Sequence, residues 1–467
     1  MNIEPFYINL NRILVYLFIS ILTTVFIINN YNSALDYNSL LFIILIPIII
    51  APFFFSKDLM NPFVIFFLNS QFLFVLNMID VNINKSSFRY GILSSNYHDK
   101  AFFWSIIVIL IWFVFLYLGY FYSVKITSQK SKLDKVSKVN NKLVISLILI
   151  LIGLGSYLYI VFLKGGIDEI IDGLSNRTEA YSGLNYFVKL IALISIGSIM
   201  MLSIGYKKTS MVLILLSFLM LSSFGGRAGA FFGSIFPYII YYNYKVKKIR
   251  LIQLIPLGLI MIIFATALGN YRLYQKFSFE MTGIKDIFLN IANGTQGGET
   301  LPSLIGSLMN RTIDYEYGST IINILFAPIP RTLWRDKPPI DESGIVGRLL
   351  MGAEGWGLPP GPYGIAFLNF GFIGVLVVSF ITGFIVYYMY SKLVLNNKND
   401  IFLIFYAMTI PSIFNIVSTS AQINLLWYVG VFIFIKLLDI ILTMVKKDKR
   451  SLKYLKTEQF YASISSK

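Results

Sequence analysis

"AFFWSIIVILIWFVFLYLGYFYSVKITSQKSKLDKVSKVNNK", residues 101–142, changes character at a single point. From Ala101 to Val124 no residue is charged, whereas six lysines and one acid, Asp134, stand between Lys125 and Lys142. About 20 consecutive apolar residues let an α-helix cross the hydrocarbon of a bilayer. Lysine clusters just beyond such a run mark the cytoplasmic side. The stretch therefore reads as a membrane span that ends in a cytoplasmic loop.

The rest of the chain repeats this pattern. Of its residues 56% are hydrophobic and 13% charged, with a mean hydropathy of +0.71; a soluble domain carries roughly 25% charged residues. The expected fold is all-α and polytopic. About twelve spans are expected, near residues 13–29, 40–55, 63–79, 101–124, 143–163, 187–205, 209–224, 228–244, 251–269, 364–390, 401–419 and 424–443. The run from Ile13 to Ile28 has only Arg12 before it and no small-residue cleavage site after it, and so reads as a retained span. With the N-terminus inside, the cytoplasmic segments hold 23 Lys and Arg against 6 Asp and Glu, and the outer segments 15 against 16. The formal charge of +16 is thus a positive-inside bias and not a nucleic-acid footprint. Both termini are expected in the cytoplasm, with the basic tail 446–456 lying on anionic lipid.

Four regions follow. Residues 1–269 form a bundle of about nine spans, 270–363 an outer cap, 364–443 three further spans, and 444–467 the basic tail. So long a connection as 270–363 is functional or disordered. Apolar residues at helical spacing in 284–294 and 301–313 favour a folded cap of surface helices, and 318–330 is apolar enough to dip into the membrane interface.

Absent cysteines exclude thiolate metal sites, disulfides and cysteine nucleophiles, and a lone histidine, His98, leaves no basis for a zinc site or a Ser-His pair. No metal or cofactor is expected. Lys436 and Asp439, three apart on the last span, read as a local ion pair near its cytoplasmic end rather than an ion path.

The outer cations are chosen differently from the inner ones. Arg89, Arg177, Arg227, Arg272, Arg311, Arg331, Arg335 and Arg348 outnumber the outer lysines, while lysine predominates inside. A guanidinium is planar and permanently charged, and binds two oxygens at once, which suits a diphosphate at a membrane surface. Each arginine could equally pair with an outer carboxylate. Arg227 stands out because in "SSFGGRAGAFFG" (222–233) it sits at a tight reversal among glycines, where helix-start N–H groups could seat an anion; snorkelling to lipid phosphate is the alternative. In "APIPRTLWRDKPPIDESG" (327–344), prolines 328, 330, 338 and 339 stiffen the backbone that carries Arg331, Arg335 and Lys337. Trp334 could stack on a sugar or sit at the headgroup level.

"YEYGSTIINILFAPIPRTLWRDKPP" (315–339), followed by "PPGPYGIAFLNFGFIG" (359–374), resembles the Wzy-type O-antigen and capsule polymerases, the oligosaccharide repeat unit polymerases. The resemblance lies in Tyr317–Thr320, Ile329–Pro338 and Asn369–Gly371, with a similar Gly-Gly-Arg turn and span layout, and the matched motifs cover about sixty residues. Relatives often carry a glutamate shortly before Asn-Phe-Gly; here Gly364, Ile365 and Ala366 stand there, so no role for that glutamate is carried over.

The resemblance implies a glycosyltransferase at the outer face of a bacterial cytoplasmic membrane. It would join undecaprenyl-diphosphate-linked oligosaccharides without nucleotide sugar or metal, beside a flippase and a chain-length co-polymerase. Candidate diphosphate ligands are Arg227, Arg272, Arg331, Arg335 and Lys337, with Arg311. Glu316 is the first candidate base, with Glu299 and Glu354 as alternatives, and Tyr315, Trp334 and Trp356 are candidate sugar walls. A ligase that moves finished glycan to another acceptor, and a flippase for the same lipid, are the rival readings. The isolated position of His98 argues against the first, and the lack of clear pseudo-repeats against the second.

Overall fold

The structure, a computed structural model, describes residues 95–128, 139–173, 183–224, 226–250, 297–327, 340–352, 357–395 and 399–465. It also describes 16, 17, 20, 21, 44–49, 51, 58, 60–66, 74, 75, 77, 78, 81, 253, 254, 256–260, 263, 264, 267, 329, 333, 334, 336 and 337. Among these residues every regular element is helical. The main helices are α1 (Ser95–Ser128), α2 (Lys142–Lys164), α3 (Asn185–Ile191), α4 (Leu193–Ile204), α5 (Lys207–Ser222), α6 (Arg227–Gly233), α7 (Ile235–Lys245), α8 (Gly297–Met309), α9 (Glu342–Met351), α10 (Gly361–Tyr390), α11 (Asp400–Ile413) and α12 (Thr419–Ser465).

Five stretches are long and apolar enough to cross a membrane: Lys100–Thr127, Lys142–Lys164, Asn185–Ile204, Gly361–Leu395 and Thr419–Lys446. The chain is a helical, membrane-embedded protein. These five stretches coincide with spans expected from the sequence. Others differ from the expectation. The run at 228–244 is two helices, α6 and α7, parted at Ser234 (φ −136°, ψ −79°). The run at 401–419 stops at Ile413, two residues after Pro411, and turns through 414–418 before α12 begins. The expected spans at 13–29, 40–55, 63–79 and 251–269 lie mostly outside the described residues.

Without water to compete, helices in lipid associate through close backbone approach and hydroxyl bonds. Both devices appear here. Helices α1 and α10 cross where Gly119 and Gly383 leave no room for a side chain: a Cβ on Gly119 would lie 2.0 Å from the Phe380 carbonyl oxygen, and one on Gly383 2.0 Å from that of Leu116. Trp112, Leu116 and Tyr120 of α1 and Val375, Val386 and Tyr390 of α10 fill the core on either side of this contact. Gly153 and Gly197 let α2 and α4 approach in the same way. Between α4 and α5, Ser195 meets Ser217 at 2.7 Å, and Ser198 exchanges hydrogen bonds with Ser210.

The region 301–313, expected on the surface, departs most from the sequence reading. Helix α8 lies against α1 and α10 with Leu301, Leu304 and Ile305 fully buried. Its polar positions Thr300, Ser303 and Ser307 are buried too, so α8 is an interior helix rather than part of a surface cap. A stripe of apolar residues predicts which face is buried but is silent about what covers the other.

One end of the bundle is tied by charge. Asp400, opening α11, pairs with Lys142 at the start of α2 and with Lys245 at the end of α7, the latter at 3.1 Å. Burial raises the Asp400 carboxyl, but the two ammonium groups outweigh burial and hold it below the ordinary carboxylate range. Asp439 accepts from the backbone N–H groups of Asn140 (3.1 Å) and Asn141 (3.0 Å), which cap α2, while the Lys436 ammonium lies 5.9 Å from the centre of the Phe432 ring. Asp58 accepts from the hydroxyls of Tyr244 (2.5 Å) and Tyr390 (2.8 Å). Beyond Lys446 the backbone of α12 continues as a helix to Ser465.

The glycine crossing yields a direct test. Gly119→Ala and Gly383→Ala should each cost about 1–3 kcal/mol or more, because the methyl meets backbone that cannot rotate away. Gly155→Ala, whose Cβ meets nothing within 4 Å, should leave stability unchanged or slightly raised. Thermal melts of the detergent-solubilised chain check all three; equal midpoints for Gly119→Ala and Gly155→Ala would refute the crossing.

Candidate functional site

At the end of the bundle opposite Asp400, α10 is interrupted. Phe370 (φ −143°, ψ 22°) and Gly371 (φ 59°, ψ −145°) leave the helical region. The Gly371 values are ones that a side chain strongly disfavours. A break inside a membrane protein must satisfy its freed backbone groups locally. Asn369, fully buried, does much of this work. Its Oδ1 accepts from the Gly318 N–H (2.9 Å), and its Nδ2 donates to the Ile365 carbonyl (2.8 Å) and to Thr320 Oγ1 (2.7 Å). Leu368, next in line, accepts from the Glu316 N–H at 3.0 Å.

Two motifs some fifty residues apart thus become one unit. Tyr317 and Gly318 turn through positive φ, 44° and 90°, to bring the segment down onto the break. A Cβ on Gly318 would sit 3.0 Å from the Phe370 ring, and one on Gly371 3.6 Å from the Tyr315 hydroxyl. Each glycine makes room for the other motif's aromatic residue.

Glu342, which the sequence reading passed over, completes the cluster. It opens α9, only 6% of its surface is exposed, and its carboxylate accepts from the Ser418 hydroxyl and from the Thr419 N–H (3.0 Å). Thr419 in turn donates to the Thr320 carbonyl at 3.4 Å. The 315–320 segment, the first turn of α9, the break in α10 and the start of α12 are therefore joined. Burial pushes the Glu342 carboxyl above its ordinary value of 4.5, partly offset by the Ser418 hydroxyl. A buried acid in "DESG" carries no sequence signal, since Asp341 beside it looks the same on paper.

The remaining candidates divide. Glu316 is half-buried and accepts from the Ser319 hydroxyl. Tyr315 packs 6.2 Å from Phe367, and burial raises its phenol, keeping it a neutral donor. Lys337 is 7% exposed and donates to the carbonyls of Ala327 (3.3 Å) and Ile329 (2.7 Å), so in this arrangement it staples its own loop. Trp334 stands edge-on to Phe326 at 5.3 Å, and Arg311 is exposed with φ 57° just after α8. Glu299 is half-buried in the first turn of α8, and Arg348 is exposed on α9. Arg331, Arg335, Arg272, Trp356 and Glu354 lie outside the described residues, as do Arg89 and Arg177; of Arg227 the backbone is described, opening α6.

Beside this cluster is a cavity of about 260 Å³ between α3, α6, α11 and α12. Gly226 and Gly229 of the Gly-Gly-Arg turn line it, facing Lys189, Ser412, Asn424 and Tyr428. Helix α6 has only seven residues, so its dipole is small and any positive field must come from side chains. The sequence reading did not single out Lys189, although "LNYFVKLIALISIG" (184–197) shows it as a cation one turn inside an apolar run. No family model, curated protein or solved structure matches the chain.

Two outcomes follow. Gly371→Ala should cost about 1–3 kcal/mol, from φ strain alone, and should expose the 315–320 segment to limited proteolysis; unchanged cleavage would sink the docking. For Glu342, an acid raised on folding contributes stability that is full below pH 4.5 and is lost as pH climbs through the raised value. Glu342→Gln keeps the acceptor without the charge. The melting midpoint of the parent minus that of the variant should therefore be largest near pH 4.5 and shrink toward neutrality; a difference that grows with pH would contradict this.

Proposed function

We propose that this chain is a membrane glycosyltransferase that polymerises undecaprenyl-diphosphate-linked oligosaccharide repeat units into a surface polysaccharide, at the outer face of a bacterial cytoplasmic membrane. What carries the reading is the docking of Tyr317–Thr320 onto the Asn369–Gly371 break, because the resemblance rests on those motifs and the sequence alone gives no reason for them to touch. The expected layout is twelve spans with both termini inside. In support of that orientation, the lysine-rich ends of α2 and α7 gather at Asp400, away from the motif end. Membrane lipids, a flippase and a chain-length co-polymerase are the partners of this scheme, with no metal or cofactor.

The chemistry asks little of an acid. A hydroxyl at the non-reducing end of one lipid-linked unit attacks the anomeric carbon of the growing chain. The bond from that carbon to the diphosphate oxygen breaks, the diphosphate departs with the electron pair, and the hydroxyl proton passes to a carboxylate or to water. Diphosphate is already a good leaving group, so the protein's task is to orient two lipids and neutralise the departing charge. Arg331 and Arg335 act on the leaving oxygens, with Arg227, Arg272 and Arg311 holding the diphosphate. Glu316 takes the acceptor proton, and its bond from Ser319 orients it. Tyr315, Trp334 and Trp356 form walls for sugar rings. Lys337 acts through its loop, by holding the carbonyls of Ala327 and Ile329.

Purified full-length protein in liposomes with a single lipid-linked repeat unit should give a ladder on a gel. Arg331→Ala should slow ladder formation about 100-fold or more, while leaving the melting midpoint unchanged. No ladder from folded parent protein, or an Arg331→Ala ladder equal to the parent's, would refute the proposal.

A further inference from the structure

We infer that the cavity at the Gly-Gly-Arg turn is a headgroup site for a phosphate or diphosphate ester carried on an apolar chain, with Lys189 as its charge-bearing ligand. The inference deepens the glycosyltransferase reading, on which its choice of carrier rests. The geometry argues it in three steps.

The first concerns charge. Lys189 stands on α3, within the stretch Asn185–Ile204 that is apolar enough to cross a membrane, and it is partly buried. Among the described residues its ammonium has neither a carboxylate nor a hydrogen-bond acceptor. Taking an ammonium out of water costs several kcal/mol unless a counter-charge compensates it. Lys337 shows the contrast, since its buried ammonium is met by two carbonyls. Among the described residues that line the cavity none is a carboxylate and none bonds Lys189, so an anion is the group that fits.

The second concerns the other polar side chains. Ser412 on α11 and Asn424 and Tyr428 on α12 face the same cavity, and none has a side-chain hydrogen bond among the described residues. Three neutral donors and one cation from three helices match the several oxygens of a phosphate group. The rest of the wall is apolar, with Phe224, Phe232 and Met408 among its members. At about 260 Å³ the cavity falls below the ~300–1,000 Å³ of drug-sized sites, so it takes a headgroup and the first carbons of its chain, not a saccharide.

The third concerns place. Asn424 lies five residues along α12 from Thr419, about 7.5 Å at the helical rise per residue. Thr419 belongs to the motif cluster through Glu342 and Thr320. A headgroup held at Lys189 would thus present whatever it carries toward the docked motifs.

The test is binding by the full chain in detergent, measured calorimetrically with farnesyl diphosphate, inorganic diphosphate and a short-chain phosphatidylglycerol. Two variants accompany it. Lys189→Gln removes the charge. Gly229→Leu fills the cavity without strain, since a Cβ there meets nothing within 4 Å and leucine favours a helix over glycine. Farnesyl diphosphate should bind, with either variant weakening it about tenfold or more, as expected for a charge-assisted contact, and inorganic diphosphate should bind more weakly than the prenyl ester. If phosphatidylglycerol binds as tightly with the same dependence on Lys189, the site stands and its ligand is bulk lipid. No binding by the parent, or binding unchanged in both variants, overturns the inference. Lys189-dependent binding without a polymer ladder retains the site and discards the polymerase; a ladder with Lys189-independent binding does the reverse.

Discussion

A helix cannot be interrupted in lipid unless something else bonds its backbone; at the α10 break the Asn369 side chain donates to the Ile365 carbonyl and the Glu316 N–H to that of Leu368. Much of the architecture around the break depends on these bonds. Because Asn369 also reaches Gly318 and Thr320, the break is not merely tolerated but used as a socket for the 315–320 segment. Thr320 then fixes Thr419, Thr419 meets Glu342, and the first turn of α12 is set in place relative to α9. Remove the amide and the loss spreads along a chain of contacts, since a buried partner left unpaired costs roughly 1–3 kcal/mol each time.

The same helix carries the opposite end of the bundle. Below the break, α10 runs past the Gly383 crossing to Tyr390, whose hydroxyl bonds Asp58. The two ends differ in kind. At one, acids meet lysines, tyrosines and helix-capping amides; at the other, among the described residues, neutral amides and hydroxyls surround the buried Glu342 carboxylate. An end held by fixed ion pairs and a glycine contact is a rigid base. An end held by hydroxyls around an acid whose charged form is disfavoured is better suited to rearrange when a ligand arrives.

How much of this was legible depended on whether the deciding interaction was local. Apolar runs and lysine clusters are local, and they placed the spans at 101–124, 143–163 and 187–205 within a few residues of the observed helices. Motif spelling identified Tyr317–Thr320 and Asn369–Gly371 as special, but their docking is a long-range bond that no periodicity encodes. The burial of α8 was missed because apolar spacing describes one face only, and Thr300, Ser303 and Ser307 read as solvent-facing until α1 and α10 are seen to cover them. Lys337 was read as a ligand from its neighbours in sequence, whereas the carbonyls that hold it belong to a turn that sequence does not draw. Glu342 was hidden for the converse reason, that its partners Ser418 and Thr419 lie some seventy-five residues away.

The contrast between two lysines carries the argument one step further. Arginine was favoured at the outer surface for its fork, and that logic holds where a ligand's oxygens are approached from water. Inside the bundle the requirement is different. A guanidinium at position 189 would bring five donors into a wall that offers few acceptors, whereas an ammonium on a flexible stem can follow a headgroup as it enters and leaves. If the arginines of the proposed site meet the lipid phosphate at the surface, a lysine in the cavity would complete a gradient from diffuse, permanent charge to a compact point charge. Such a gradient works only if the inner site is weaker than full burial of an ion pair would make it, and the partial exposure of Lys189 meets that condition.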